Sequence, residues 1–128
     1  MADKIKIIAL RMGERPRLEE MDKGLEAMQE FVEGMVTCVG LGEGCDLWCN
    51  DEGLFTHGPN RHVTVGDYFS QTIHGPMFIA AHDAEGETAG LTDKQFSKWR
   101  ALSAKWPRAI TSLPESYEPL DGEQLLIM

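Results

Sequence analysis

The sequence predicts an α+β fold: a four- to five-stranded mixed or antiparallel sheet with two helices on one face and a C-terminal extended arm. Three observations carry that expectation. Short β-branched or alternating runs recur at residues 4–10, 35–39, 45–50 and 75–81. Two stretches, 23–33 and 92–106, instead place apolar residues at three- and four-residue steps with charge on the far side, the pattern of helices packed by one stripe against a sheet. A chain of 128 residues, 42% hydrophobic and 26% charged, also suffices for one core and leaves no room for a second catalytic domain. One domain is expected over 1–106, followed by an acidic, proline-containing arm over 107–128.

Residues 4–10 read K-I-K-I-I-A-L, an alternating start that runs into a β-branched cluster, as in a strand whose far half is buried on both faces. The stretch from Arg11 to Pro16 is a turn or hairpin connection. Leu18, Met21, Leu25, Met28, Val32 and Met35 satisfy one stripe of a single helix over 18–34. The preferred reading divides them: a short strand over 17–21 paired with the first, Asp22 as N-cap, a helix over 23–33 and Gly34 as its stop. Gly24 is tolerable only in a first turn.

Residues 35–39 and 45–50 form a hairpin about the flexible loop Gly40-Leu41-Gly42-Glu43-Gly44, and Asn50-Asp51-Glu52-Gly53 is a turn. From Leu54 to Ile73 the chain is polar and without clear period, so the segment 54–75 is expected to be the loop that carries any ligand contacts. Residues 75–81, G-P-M-F-I-A-A, read as a central strand with proline at its entry. After an acidic loop, Thr92 and Gln95 form a capping box for a helix that continues to Trp106, where Pro107 ends it. The apolar end Leu125-Leu126-Ile127-Met128 either packs back on its own domain or reaches a partner.

Twelve Lys and Arg against 21 Asp and Glu give a net charge of -9. That balance argues against a surface that grips phosphate backbones, so no direct DNA binding is expected. The excess is uneven. Residues 43–93 hold nine acidic residues against the single Arg61, whereas 94–108 hold five basic residues and no acid. The expected molecule is dipolar, and Asp83, Glu85 and Glu87 are candidate contacts to a basic groove on another protein. The apolar run Ile7-Ile8-Ala9-Leu10 is too short for a secretory signal or a membrane span, so no membrane association and a cytoplasmic location are expected.

Cys38, Cys45 and Cys49 are an odd set, expected to be reduced thiols. Cys45 and Cys49 fall within a strand pattern, about 13 Å apart along it, so they read as small buried hydrophobes and neither a metal nor a cofactor is expected. His57, His62, His74 and His82 form no i, i+4 pair, and no Ser or Cys sits in a nucleophile-elbow context, so no catalytic residue is named. The glycines at 40, 42 and 44 precede no helix, so they lack the dipole that phosphate-cradling loops use.

The order of features, K-I-K-I-I-A-L, D-K-G-L-E-A-M-Q-E-F-V-E-G, D-L-W-C-N-D-E-G-L, G-P-N-R, G-P-M-F-I-A-A and L-T-D-K-Q-F, resembles the phage and mobile-element family called domain of unknown function 3846. The resemblance spans about residues 4–100; the histidine-rich stretch 62–74 and the tail depart from it. It implies a phage, prophage or plasmid origin and a small α+β fold, and it carries over no catalytic residue. Asn50, Asn60 and Arg61 match its most recognisable polar positions, either as turn-pinning groups or as contacts to a ligand or partner.

Three function classes follow as expectations. The first is a non-enzymatic accessory protein of a mobile element, a counter-defence inhibitor whose acidic surface engages a host nucleic-acid-handling protein in the bacterial cytoplasm. The second is a small-molecule binder that sequesters a nucleotide signal through the 54–75 loop, with Asn60, Arg61, His57 and His62. A small hydrolase is the third. A homodimer through the C-terminal arm is a further expectation.

Overall fold

The computed structural model describes residues 3–110 and 123–127. In chain order its elements are β1 (Lys4–Leu10), β2 (Arg17–Asp22), α1 (Leu25–Val32), β3 (Val36–Gly42), β4 (Cys45–Asn50), α2 (Gly53–Thr56), β5 (Pro59–Val65), β6 (Phe69–His74), β7 (Met77–His82), β8 (Thr88–Ala89), α3 (Asp93–Ser103), β9 (Arg108–Ile110) and β10 (Leu125–Ile127). They build two sheets, one in the order β2-β1-β7-β4-β3 with β8 also on β7, the other in the order β10-β9-β5-β6. Every pair is antiparallel except β10 on β9. The α+β class and the mixed pairing are as the sequence predicts.

The layering differs from expectation, for a reason visible in β7. Met77, Ile79 and Ala81 point to one face and Phe78 and Ala80 to the other, and all five are buried. β1 divides likewise into Ile8 and Leu10 against Ile5 and Ile7. A sheet that is apolar on both faces needs cover on both, because each buried Leu or Ile side chain contributes roughly 1.5–3 kcal/mol only while water is excluded. α1 therefore covers one face through Met28 and Val32, while α3 and the second sheet cover the other through Trp99, Val63, Val65 and Ile73. The two helices lie on opposite sides of a six-stranded sheet, not together on one face of a four- or five-stranded one.

The second sheet is where sequence patterning misled most. The stretch expected to be a loop is the hairpin β5–β6, turning at Gly66 with φ 53°. The side turned toward the central sheet carries Arg61, Val63 and Val65 opposite Ile73, Gln71 and Phe69, with Gln71 exposed at the open edge, so two polar residues interrupt the apolar alternation that marks a strand.

Smaller corrections follow from local geometry. Asp22 does not cap a helix: it ends β2 opposite Lys4, whose ammonium it holds at 2.7 Å. α1 instead begins after Gly24 at φ 127° and ends on Glu33 in the left-handed region at φ 63°. Gly34 serves close approach, since a Cβ there would stand 2.6 Å from the Asn50 amide nitrogen. The expected glycine loop is mostly strand, since β3 runs on to Gly42 with a bulge between Gly40 and Gly42, and the turn shrinks to Glu43-Gly44, both with positive φ as two-residue hairpins of type I′ require. α3 carries the expected capping box, Thr92 Oγ1 accepting from Gln95 N at 3.1 Å and Gln95 Oε1 from Thr92 N at 2.9 Å. It ends at Ser103, before Trp106, whose indole N–H donates to the Thr64 carbonyl.

Most of the expected arm, 111–122, lies outside the described residues; β10 runs parallel to β9 at the margin of the second sheet.

Candidate protein-docking face

Because α1 and α3 lie on opposite sides of the central sheet, the uneven charge of the sequence becomes a charge difference between faces. α1 presents Glu26 and Glu30 outward, with Glu33 at its end, and has no basic residue within it. α3 presents Lys94, Lys98 and Arg100, and its one acid, Asp93, is paired with Lys6 at 2.9 Å. On the α1 side the exposed Lys23 stands between the start of α1 and the acidic loop, and Arg11 stands at the margin. Arg11 is committed to Glu19 at 2.8 Å and lies over the Phe31 ring.

The acidic loop between β7 and β8 joins the same side. Asp83 accepts from the backbone N–H groups of Glu85 and Glu87 at 3.0 and 2.9 Å, which holds its carboxyl below the usual range and leaves Glu85 and Glu87 exposed. A shallow depression of about 280 Å³, lined by Lys23, Leu25, Met28, Trp48 and Glu87, separates this loop from the start of α1. Asp83 is thus a turn-forming residue, and Glu85 and Glu87 are the members of the acidic trio that face solvent.

Asn50 and His57 meet at the other end of α1. The Asn50 amide donates to the carbonyls of Val32 and Glu33 at 3.0 and 3.2 Å, satisfying the helix's last acceptors, and its oxygen accepts from Glu52 N at 2.7 Å. His57 Nε2 lies 2.8 Å from Glu33 Oε1, and Nδ1 lies 2.8 Å from the Thr56 hydroxyl. These bonds lock α2 against α1. Gly53 is required where α2 meets the end of β6, because a Cβ there would run into the His74 carbonyl oxygen.

What this platform holds up is apolar. Phe55 is 85% exposed and Leu54 68%, with Met35 exposed on the segment whose carbonyl accepts from Asp51 N. A lone exposed apolar residue needs no explanation, but a Phe and a Leu on a rigid single turn, beside Glu33 and Glu52, form an acid-rimmed projection. Both lie in the 54–75 segment expected to carry contacts, but the sequence singled out neither as an apolar contact. L-F directly after N-D-E-G was the available signal, and it was hidden because apolar pairs ordinarily mark the core.

Asn60 and Arg61 occupy the interior, both fully buried. Asn60 Nδ2 donates to the carbonyls of Leu10 and Gly75 at 2.8 Å each. Arg61 Nε donates to Asn60 Oδ1, and Nη2 donates to the carbonyls of Arg11 and Glu14 at 3.1 and 2.8 Å. Burial, with Arg108 alongside, pushes the Arg61 guanidinium down to about 9. It remains a cation at neutral pH. Together the two side chains bind the end of β1, the β1–β2 connection and the turn before β7, so they position backbone and do not face solvent.

His62 lies on the outer side of the β5–β6 hairpin, its ring nitrogens 3.0 Å from Thr72 Oγ1 and 2.9 Å from Ser70 Oγ. His74 Nδ1 donates to the His57 carbonyl, and His82 Nδ1 lies 2.7 Å from Asp46 Oδ2. The four histidines do not converge on one place. Among the described residues no group of three or more His, Cys, Asp or Glu is arranged to hold a metal ion. Cys45 and Cys49 are buried in the core, where burial pushes both thiols up, and all three cysteines are free. No helix among the described residues is long and apolar enough to cross a membrane.

A family model described as Domain of unknown function (DUF3846) matches residues 5–104, which spans everything from β1 through α3. No curated protein and no solved structure matches the chain.

Proposed function

The chain belongs to the domain of unknown function 3846 family, and from that premise we propose that it is a non-enzymatic interaction protein whose α1 face engages a basic partner protein. The observation that carries this reading is the separation of charge across the sheet: Glu26, Glu30, Glu33, Glu85 and Glu87 are exposed on one side, with the basic residues of α3 on the other. A face with an excess of one sign steers an oppositely charged partner and sets its orientation. The projecting Leu54 and Phe55 supply the apolar contact that long-range charge cannot.

Proteins that handle nucleic acid carry basic surfaces built for phosphate, so they are the natural class of partner. In a phage or mobile element such binding would serve counter-defence by occupying a host protein's nucleic-acid groove. The small-molecule reading through Asn60 and Arg61 has less support, because both side chains are buried and engaged with backbone.

The test compares the full chain with a charge-reversed variant, Glu26→Lys with Glu30→Lys and Glu85→Lys, as bait in bacterial lysate. Quantitative mass spectrometry should find basic nucleic-acid-handling proteins that the variant loses and that elute as salt rises. An identical captured set for both baits, insensitive to salt, sinks the proposal.

A further inference from the structure

The two sheets do not close against each other at the edge formed by β3 and β6. There they leave a slot of about 340 Å³, within the range of small-molecule sites. Its apolar surface comes from both sheets: Cys49 from β4, Phe69 and Ile73 from β6. Burial pushes the Cys49 thiol up to about 11, so this surface is uncharged at neutral pH. α2 bounds one end through Leu54. Near the other end the Tyr68 hydroxyl donates to the Gly40 carbonyl at 2.7 Å, tying the β5–β6 turn to β3.

Of the six polar residues that line the same slot, Asn50, Thr72 and His74 are bonded to Val32, His62 and the His57 carbonyl; the others are the Thr37 hydroxyl, the Asp51 carboxylate and the Gln71 amide. All three residues are exposed, and none of these side chains spends its hydrogen-bonding groups within the described protein. No lysine or arginine lines the slot. The chemistry is selective. A carboxylate accepts two parallel N–H donors at once, the edge that amidines, guanidines and guanine present, while a neutral amide and a hydroxyl each offer both donor and acceptor. An apolar, uncharged surface suits a flat ring. With no lysine or arginine to meet it, a phosphate or carboxylate on the ligand would face the Asp51 carboxylate.

We propose that this slot binds a small planar molecule with a paired N–H edge, an amidine, guanidine or guanine-type base without phosphate, held by Asp51 with Gln71 and Thr37 as its hydrogen-bond partners. The site lies between the sheets and uses none of the acidic residues on the α1 face.

Isothermal titration and thermal unfolding of the full chain, with benzamidine and guanosine as probes and benzoate and guanosine monophosphate as controls, test it. At least one probe should bind and raise the unfolding midpoint while both controls bind at least about tenfold more weakly. Asp51→Asn should weaken probe binding by about tenfold or more and Gln71→Ala by less, with the ligand-free midpoint unmoved. The proposal is overturned if neither probe binds at about 10 mM, if benzoate binds as tightly as benzamidine, or if Asp51→Asn leaves affinity intact. Should Asp51→Asn shift the ligand-free midpoint, amide chemical shifts of the unmutated protein decide: probe-induced changes confined to 37–39, 49–54 and 69–74 support the site, and changes elsewhere overturn it.

Discussion

Arg61 Nε donates a 3.0 Å hydrogen bond to the side-chain oxygen of its own neighbour, Asn60, and that bond orients the Asn60 amide nitrogen onto the carbonyls of Leu10 and Gly75. Adjacent residues on a strand normally point to opposite faces. Here the register shift between Pro59 and Arg61 lets the two buried side chains act together. Asn60→Ala would take a side-chain donor from two carbonyls and the acceptor from one buried guanidinium N–H, so it should cost about 2–4 kcal/mol in urea unfolding. Arg61→Lys should also be destabilising, because an ammonium cannot reproduce the planar fork that reaches both Asn60 and the β1–β2 connection. A loss under about 0.5 kcal/mol for Asn60→Ala would contradict the assignment.

Two glycines separate close approach from backbone freedom. Gly53→Ala drives a Cβ into the His74 carbonyl, so α2 must shift and stability should fall by about 2 kcal/mol or more. Gly86→Ala meets no atom within 4 Å and pays only for its positive φ of 84°, about 1 kcal/mol. Equal losses in chemical denaturation would refute the distinction.

The Arg11 guanidinium, with desolvation opposing it and Arg17 assisting, holds the Glu19 carboxyl down at about 2. A group whose folded value lies below its unfolded one adds stability above the unfolded value and loses it as pH falls through the folded value. Part of the acid unfolding should therefore fall between pH 4.5 and about 2, and Glu19→Gln should flatten that part of the stability profile. Its persistence in the variant would assign the loss to other carboxylates.

Phe55→Ser with Leu54→Ser removes exposed apolar groups, so stability should stay within about 0.5 kcal/mol of the parent. Binding to a basic partner found by the lysate comparison should weaken by about 2 kcal/mol or more if these side chains anchor it. Surface plasmon resonance reads the difference, and unchanged affinity would remove them from the interface.

Thr92→Ala removes the hydroxyl that accepts from Gln95 N at the start of α3 and should cost about 1 kcal/mol. Thr92→Ser should recover most of it. Failure of serine to do so in thermal unfolding would point to lost methyl packing in place of capping.

Several elements were legible because their signals are local. β1, β4 and the β7 run alternate or cluster apolar residues within six or seven positions, and the box at Thr92 and Gln95 specifies the start of α3 whatever lies around it. The β5–β6 hairpin was not legible, since Arg61 and Gln71 stand on the side turned toward the central sheet, where sequence patterning expects apolar residues. Of the candidate residues, Glu85 and Glu87 keep the exposed place their composition implies. Asn60 and Arg61 are interior, and Asn50 and His57 support α2 through backbone and Glu33.

By itself the sequence determined the α+β class, the hairpin of β1 with β2, the central apolar strand and the inequality of charge along the chain. Only the tertiary structure decided which side each helix takes, that a second sheet shares the cover with α3, and that Leu54 and Phe55 stay outside. The reason is the physics of burial. Periodicity tells which face of an element avoids water, but which neighbour supplies the cover depends on contacts between segments far apart in the chain, such as Asn60 with Leu10 or Trp106 with Thr64.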